Sequence, residues 1–425
     1  MPQSAGFGAI LRAFRHRNFG IYTAGNGLSL ICTWMQRIAV GWLAWELTHS
    51  GAWLGVVAFA DLFPSVIIGP FAGAVADRTS RLRIIAVSQA LSMAQAVVLA
   101  ALTYWNVITI EALFALTLAN GIVVGFNQPA RLAVVQSLVP RRDLSTAVAI
   151  NSIVFNTARF IGPAIAGVLI VAAGVAACFA ANAVSFLALL LALTRVKIDA
   201  RGHIRPRKGG TLLGDVGAGI AYAARHPGVG PLLLLLLVVS VAARPFADLL
   251  PGFAAEVFGR GAGALATLSA TIGVGAIVGG LWLAQRGEVE GLSRIAMLST
   301  LGGALSVAGF VATDSYPVAL AATAFAGATI LISGVSTQTL MQLAVEREMQ
   351  GRVLSLYGII FRGAPALGSL IAGTLSETLG LRWPIAGGCV LCVAVWLWTW
   401  RRRAPITQAL EARMAEPEPE RRTTL

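Results

Sequence analysis

Residues 176–194 form the uncharged run AACFAANAVSFLALLLALT, and Arg195 and Lys197 follow it closely. A transmembrane helix needs about 20 mostly apolar residues to cross the hydrocarbon core of a bilayer. Basic residues beside such a run tend to remain on the cytoplasmic side of the membrane. The segment therefore predicts a helix that crosses a bilayer and ends in the cytoplasm.

The same pattern recurs along the 425 residues, of which 57% are hydrophobic and 12% are charged. A soluble domain has about 25% charged residues, so most of this chain faces something other than water. The sequence predicts an all-α membrane protein with twelve transmembrane helices in two pseudo-symmetric halves of six. The predicted spans lie near 19–45, 52–76, 84–104, 107–130, 144–172, 176–194, 228–254, 263–284, 293–312, 316–344, 353–377 and 383–400.

Polar segments divide the chain around these two groups of spans. The stretch from Thr211 to Arg225 predicts an amphipathic helix on the cytoplasmic face, within a loop that tethers the halves. The end of the chain contains EPEPERR, which is typical of disorder. The predicted segments are an N-terminus at 1–18, an N-terminal half at 19–194, a central loop at 195–227, a C-terminal half at 228–402 and a disordered tail at 403–425.

The distribution of Arg and Lys predicts the orientation. With the N-terminus inside, Arg260 and Arg382 are the basic residues of the outer loops, and the others fall in cytoplasmic segments or in spans. Both termini are therefore expected in the cytoplasm, in the inner membrane of a bacterial cell. The formal net charge of +13 then reflects orientation and contact with anionic lipid, and not nucleic-acid binding.

Motifs for catalysis and ATP hydrolysis are missing from the sequence. It contains no GxxxxGK[ST] phosphate loop, no HExxH and no GxSxG at a strand–helix turn. Cys389 and Cys392 have CxxC spacing, but they lie in the last span with no His nearby, so we interpret them as packing residues. We expect a monomer with no enzyme activity, no cofactor and no metal, driven by a gradient of an ion or solute.

The loop between the second and third spans carries a recognisable motif. Its sequence, Gly73-Ala-Val-Ala-Asp77-Arg78-Thr-Ser-Arg81, resembles the G-x-x-x-D-R-x-G-R motif of the major facilitator superfamily, with Ser80 in place of the second Gly. The resemblance extends over nearly the whole chain. Residues 17–19, 34–37, 138–144 and 351–357 are similar to the drug- and siderophore-exporter branch of that superfamily, which includes enterobactin exporters.

This resemblance implies a mechanism. Two six-helix halves would rock around one central cavity and expose it to each side of the membrane in turn. Asp77 and Arg81 would help to close the cytoplasmic gate; the alternative is that these charges only orient the loop. In the fifth span, Gly162-Pro163-Ala-Ile-Ala-Gly167 resembles the G-P-x-x-G-G antiporter motif, which is associated with export.

Ionisable residues within spans are candidates for function, because each costs roughly 2.5–3.5 kcal/mol at a helix centre. Arg37 and Asp61 lie equally far from the turn that joins their spans, about 13 Å deep, so they are expected to pair. The pair would take part in proton coupling or be a static ion pair. The predicted proton-coupling and cavity residues are Arg37, Asp61, Arg159, Arg244, Asp248 and Arg362.

Asp248 is the preferred proton carrier. It lies one helical turn after Arg244 in the seventh span, so the two should share one helix face. Protonation would release Arg244 toward substrate; the alternative is an internal salt bridge. Arg159 and Arg362 have no acidic neighbour in their own spans. They predict a cavity for anionic or zwitterionic amphiphiles, unless they bond backbone carbonyls freed by prolines.

The predicted function is secondary active transport, as a proton-coupled antiporter that exports a small amphipathic drug, siderophore or metabolite by alternating access. The expected partners are that small molecule, protons and the lipid bilayer, and no nucleic acid. One alternative is an importer or facilitator of a small organic solute on the same fold. Others are a lysophospholipid transporter, or a membrane scaffold or sensor that transports nothing.

Overall fold

The structure, a computed structural model, describes residues 7–196, 212–287 and 290–415. These residues are almost entirely helical, and no strand occurs among them. The helices of the N-terminal half are α1 (Phe7–Arg15), α2 (Arg17–Thr48), α3 (Gly51–Arg78), α4 (Arg81–Tyr104), α5 (Ile110–Leu138), α6 (Leu144–Ala173) and α7 (Val175–Arg195), with a 3₁₀ turn at Arg141–Asp143.

An amphipathic helix, α8 (Leu212–Arg225), precedes the C-terminal half and lies within the stretch from Thr211 to Arg225 that was predicted to form one. The seventh span is interrupted: α9 (Val229–Ala242) is followed by a 3₁₀ turn (Arg244–Ala247), α10 (Leu250–Gly252) and a π turn (Phe253–Val257). The remaining helices are α11 (Ala262–Arg286), α12 (Leu292–Ala312), α13 (Tyr316–Ala344), α14 (Arg347–Leu379), α15 (Arg382–Arg401) and α16 (Arg403–Ala415).

The spans agree with the predicted all-α membrane fold. Of the described helices, 11 are long and apolar enough to cross a membrane, counting the interrupted seventh span as one. The twelfth is α2, whose 32 residues suffice in length but include the polar Asn26, Gln36 and Arg37. It packs against α6 and α7 within the bundle, which explains how a span can carry these residues.

The most extensive packing between the halves is that of α3 against α14 and of α6 against α11. We call the end of the bundle where α2 joins α3 and α14 joins α15 the far end, and the end that holds α1 and α16 the terminal end. One hydrophobic core at the far end contains Trp45 and Leu54 of the N-terminal half and Phe253 and Leu381 of the C-terminal half. The far end is therefore closed by packing between the halves.

At the terminal end the cores of the two halves are separate. Tyr22 and Val134 belong to a cluster built from the N-terminal half. Met341 and Leu410 belong to another, built from the C-terminal half and the helices α8 and α16. Among the described residues, the two halves share a hydrophobic core at the far end, whereas the clusters at the terminal end each belong to one half.

The prediction of a disordered tail from residue 403 is wrong for 403–415, which form α16. Ile406 and Leu410 of this helix are fully buried in the core of the C-terminal half. The Glu411 carboxylate accepts hydrogen bonds from the backbone N–H groups of Gly291 and Ser293, each at 2.9 Å, and so caps the start of α12. These contacts order the helix; residues 416–425 lie outside the described part.

Replacement of Leu410 by Ala is expected to destabilise the protein by about 2–5 kcal/mol, because the side chain is fully buried and its loss leaves a cavity. The measurement is the thermal unfolding midpoint of the purified protein in detergent. Gln408→Ala, an exposed position of the same helix, is the control and should leave the midpoint nearly unchanged. Equal midpoints for the two variants would show that α16 does not stabilise the bundle.

Candidate transport site

Two of the candidate residues, Arg244 and Asp248, lie where the seventh span is interrupted. Regular α-helix stops at Ala242, and Pro245 and Pro251 occupy early positions of the turns that follow. Proline lacks a backbone N–H and cannot continue the α-helical hydrogen-bond pattern. Arg244 and Asp248 consequently do not share a face of a continuous α-helix.

The prediction that Arg244 and Asp248 share one helix face is therefore wrong, and among the described residues no hydrogen bond or ion pair joins their side chains, although the two charges interact at longer range. Arg244 Nη1 donates a hydrogen bond to the Phe361 carbonyl oxygen of α14 at 3.0 Å. Its guanidinium carbon lies 4.4 Å from the centre of the Phe361 ring. The Asp248 side chain points toward the N-terminal half instead, so Arg244 and Asp248 contact different partners.

Arg37 is the centre of the site. Its Nε lies 3.5 Å from Asp61 Oδ2, which confirms the contact predicted from the depths of the two residues. Its Nη2 lies 3.2 Å from Asp248 Oδ1 in the opposite half. The second oxygen of Asp248 accepts a hydrogen bond from Ser369 Oγ at 2.7 Å. One arginine thus links α2 to α3 and to the interrupted seventh span across the interface between the halves.

The side chains of this charged group are partly exposed. The side chains are 32% exposed for Arg37, 29% for Asp61 and 16% for Asp248. Arg37 and Asp61 lie in the interior of α2 and α3, and Asp248 lies in the interruption of the seventh span, close beneath the shared far-end core. The two carboxylates are therefore partly exposed between the helices and not sealed within the core.

Hydrogen bonds within the N-terminal half hold α2 in position beside the site. Gln36, the neighbour of Arg37, donates to Gln95 Oε1 of α4 at 3.1 Å. Asn182 of α7 donates to Gln36 Oε1 at 2.7 Å. Because all three side chains are buried and paired, they fix the rotation of α2 and hence the direction of Arg37.

Arg159 stands apart from these ion pairs. Its guanidinium carbon lies 5.5 Å from the centre of the Trp34 ring. The Arg37 guanidinium lies at the same distance from that ring. Within the described residues Arg159 makes no hydrogen bond and no ion pair, so the alternative that it bonds a carbonyl near Pro163 gains no support. Arg362 is exposed and lies near Tyr357.

Prolines occupy matching places in the two halves without ending their helices. Pro163 lies inside α6 and Pro365 inside α14.

The glycines of the antiporter-like motif lie at close helix contacts. A Cβ at Gly162 would lie 2.6 Å from Trp34 Cβ of α2, and a Cβ at Gly167 would overlap Ala266 of α11, in the other half.

The gating motif is only partly described. Arg81 Nη1 donates to the Ala133 carbonyl oxygen of α5 at 3.4 Å. The side chains of Asp77 and Arg78, and the surroundings of Gly73, lie outside the described part of the structure. The gating role of Asp77 and Arg81 therefore stays a prediction.

Comparison with known proteins agrees with this architecture. The chain belongs to the transmembrane secretion effector family of the major facilitator superfamily, whose family model matches residues 9–424. The Staphyloferrin A transporter of Staphylococcus aureus is 24% identical over 384 residues, covering 88% of this chain and 94% of that protein. The chain is therefore a multi-pass transmembrane transporter and not an enzyme.

Two other relatives are named as an efflux protein and an exporter. Macrolide efflux protein A of Streptococcus pyogenes is 22% identical, covering 88% of this chain and 93% of that protein. Enterobactin exporter EntS of Escherichia coli is 24% identical, covering 93% and 96%. Among solved structures, a D-xylose–proton symporter has a TM-score of 0.70 at 15% identity, covering 92% of this chain and 98% of that one, and shares the fold.

Proposed function

We propose that the protein is a proton-coupled antiporter that exports a small amphipathic compound, with Asp248 as the proton carrier. The observation that carries the proposal is the ion pair between Arg37 and Asp248 across the two halves. The names of the efflux and exporter relatives, and the antiporter-like motif at Gly162 to Gly167, support export.

The ion pair explains what keeps an empty carrier from crossing. Opening the far end requires the N-terminal half to move away from the interrupted seventh span, which separates Arg37 from Asp248. Separating opposite charges costs more in the protein interior than in water, because the effective dielectric constant is lower. The empty, deprotonated carrier is therefore held closed at the far end.

Two events can remove this attraction. A proton on Asp248 neutralises the carboxylate, and a charged substrate can take Arg37 or Asp248 as its own partner. The protonated carrier and the substrate-loaded carrier can then open at the far end, whereas the empty one cannot. Because proton and substrate act on the same ion pair, they compete, and competition of this kind is what antiport requires.

We assign the terminal end to the cytoplasm and the far end to the outside of a bacterial inner membrane. The support is the distribution of basic residues: Arg260 and Arg382 are those of the far-end loops, and the remaining loops are rich in Arg. The state described here, closed at the far end, is then the one that accepts substrate from the cytoplasm. We expect the monomer to be the transporting unit.

The test uses purified protein in liposomes with an imposed pH gradient and a pH-sensitive dye inside. Staphyloferrin A, a macrolide and enterobactin, named after the relatives, are added in turn. Antiport predicts substrate movement opposite to proton movement, and its loss when a proton ionophore collapses the gradient. Movement of both in one direction would indicate an importer, and substrate movement without protons would indicate a facilitator.

A further inference from the structure

The interface between the halves carries more positive than negative charge. Arg37, Arg159 and Arg244 face two carboxylates, Asp61 and Asp248, and both carboxylates pair with Arg37. Arg244 is engaged by the Phe361 carbonyl. Among the residues described, Arg159 makes no ion pair and no hydrogen bond with a carboxylate, whereas both carboxylates lie in ion pairs with Arg37.

Arg159 faces the space between the halves. It lies deep in α6, is partly exposed, and interacts electrostatically with Arg37 and with Asp248 of the opposite half. Arg244, also in the opposite half, interacts with it as well. An arginine without an ion pair is costly within a membrane span, and such residues usually face a water-filled cavity or a partner.

Aromatic surface adjoins this guanidinium. The Trp34 ring lies beneath both Arg159 and Arg37. Phe155, one helical turn before Arg159, packs edge-on against Trp34 with ring centres 6.0 Å apart and is 39% exposed. A free guanidinium beside partly exposed rings can bind a carboxylate through two parallel hydrogen bonds while the rings contact the apolar part of the same molecule.

We propose that Arg159, Trp34 and Phe155 form a substrate subsite for an organic anion, a carboxylate or sulfonate joined to a planar apolar group. This inference rests on the proposed transport function and names its substrate class. The anion at Arg159 lies beside Arg37 and weakens the attraction of Arg37 for Asp248. Binding of the correct substrate thereby loosens the contact that holds the far end closed.

The experiment is equilibrium binding of three matched probes to the purified, full-length protein in detergent. The probes are 1-naphthoate, the neutral 1-naphthalenemethanol and the cationic 1-naphthylmethylammonium. The wild type is expected to bind naphthoate about tenfold or more tighter than the other two, as a charge-assisted hydrogen bond allows. Tighter or equal binding of the cation or the alcohol overturns the proposal, and this comparison needs no variant.

Variants test whether Arg159 is responsible for the preference for the anionic probe. Arg159→Gln should weaken naphthoate binding about tenfold or more and abolish the preference for the anion, and Arg159→Lys should retain part of it. Trp34→Ala should weaken all three probes. Arg260→Gln, which removes an arginine lying over Tyr316 in a far-end loop, is the control and should change nothing. Undiminished anion preference in Arg159→Gln overturns the assignment.

Binding in detergent involves no proton gradient, so the two proposals can fail separately. Anion-selective binding that Arg159→Gln abolishes, combined with transport that moves no protons, would remove the antiport mechanism and leave the subsite. Proton-coupled transport without anion-selective binding would remove the subsite and leave the antiport mechanism.

Discussion

Replacement of Asp248 by Asn is expected to abolish proton-driven transport while the folded protein stays in the membrane. Asn has nearly the same size and can still accept the hydrogen bond from Ser369 Oγ. It carries no charge to pair with Arg37 and binds no exchangeable proton in the relevant range. The measurement is accumulation of substrate above its concentration on the other side of the liposome membrane under an imposed pH gradient, and the variant is expected to accumulate no more than liposomes without protein.

A second readout separates loss of coupling from loss of transport. Exchange of labelled for unlabelled substrate at equal pH on both sides does not need a proton, so Asp248→Asn should still perform it. The control is Asp314→Asn, which removes a carboxylate that is 83% exposed and pairs with Arg382 away from the site. Wild-type proton-driven flux in Asp248→Asn would exclude Asp248 as the carrier.

The contact of Arg37 with Asp61 within one half could be predicted from the sequence, whereas the contact of Arg37 with Asp248 across the halves could not. Arg37 and Asp61 lie on consecutive antiparallel helices at equal depth, and such helices are usually neighbours, so their contact followed from spacing. Arg37 and Asp248 are separated by 211 residues. Their contact depends on how the halves are tilted in this state, which no local pattern encodes.

Two errors have local physical reasons. The pairing of Arg244 with Asp248 assumed an unbroken helix, yet Pro245 lies between them and the chain turns there. The C-terminal helix was missed because its polar residues outweigh its apolar ones. The sequence feature that could have predicted this helix is the spacing of Ile406 and Leu410 by one helical turn. These two residues form the buried face of α16.

Replacement of Gly55 by Ala is expected to prevent the far end from closing. Gly55 of α3 lies against Ser369 of α14, and a Cβ at residue 55 would overlap the Ser369 carbonyl oxygen, a backbone atom that cannot turn aside. Overpacking of this kind costs about 1–3 kcal/mol. The closed state would lose population by roughly five- to 150-fold relative to the open one, and transport, which needs both states, should slow accordingly.

The shift is measured as the distance between spin labels at Val107 and Ser315, exposed far-end positions of opposite halves, in a protein without its four native cysteines. Gly69→Ala is the matched control, because an added Cβ there meets nothing within 4 Å although the residue lies on the same helix. A longer distance in Gly55→Ala alone is expected, since only that substitution separates α3 from α14. Equal distances in both variants would mean that α3 and α14 accommodate the added Cβ without opening the far end. Other contacts between the halves, such as that of Arg37 with Asp248, would then suffice to hold the far end closed.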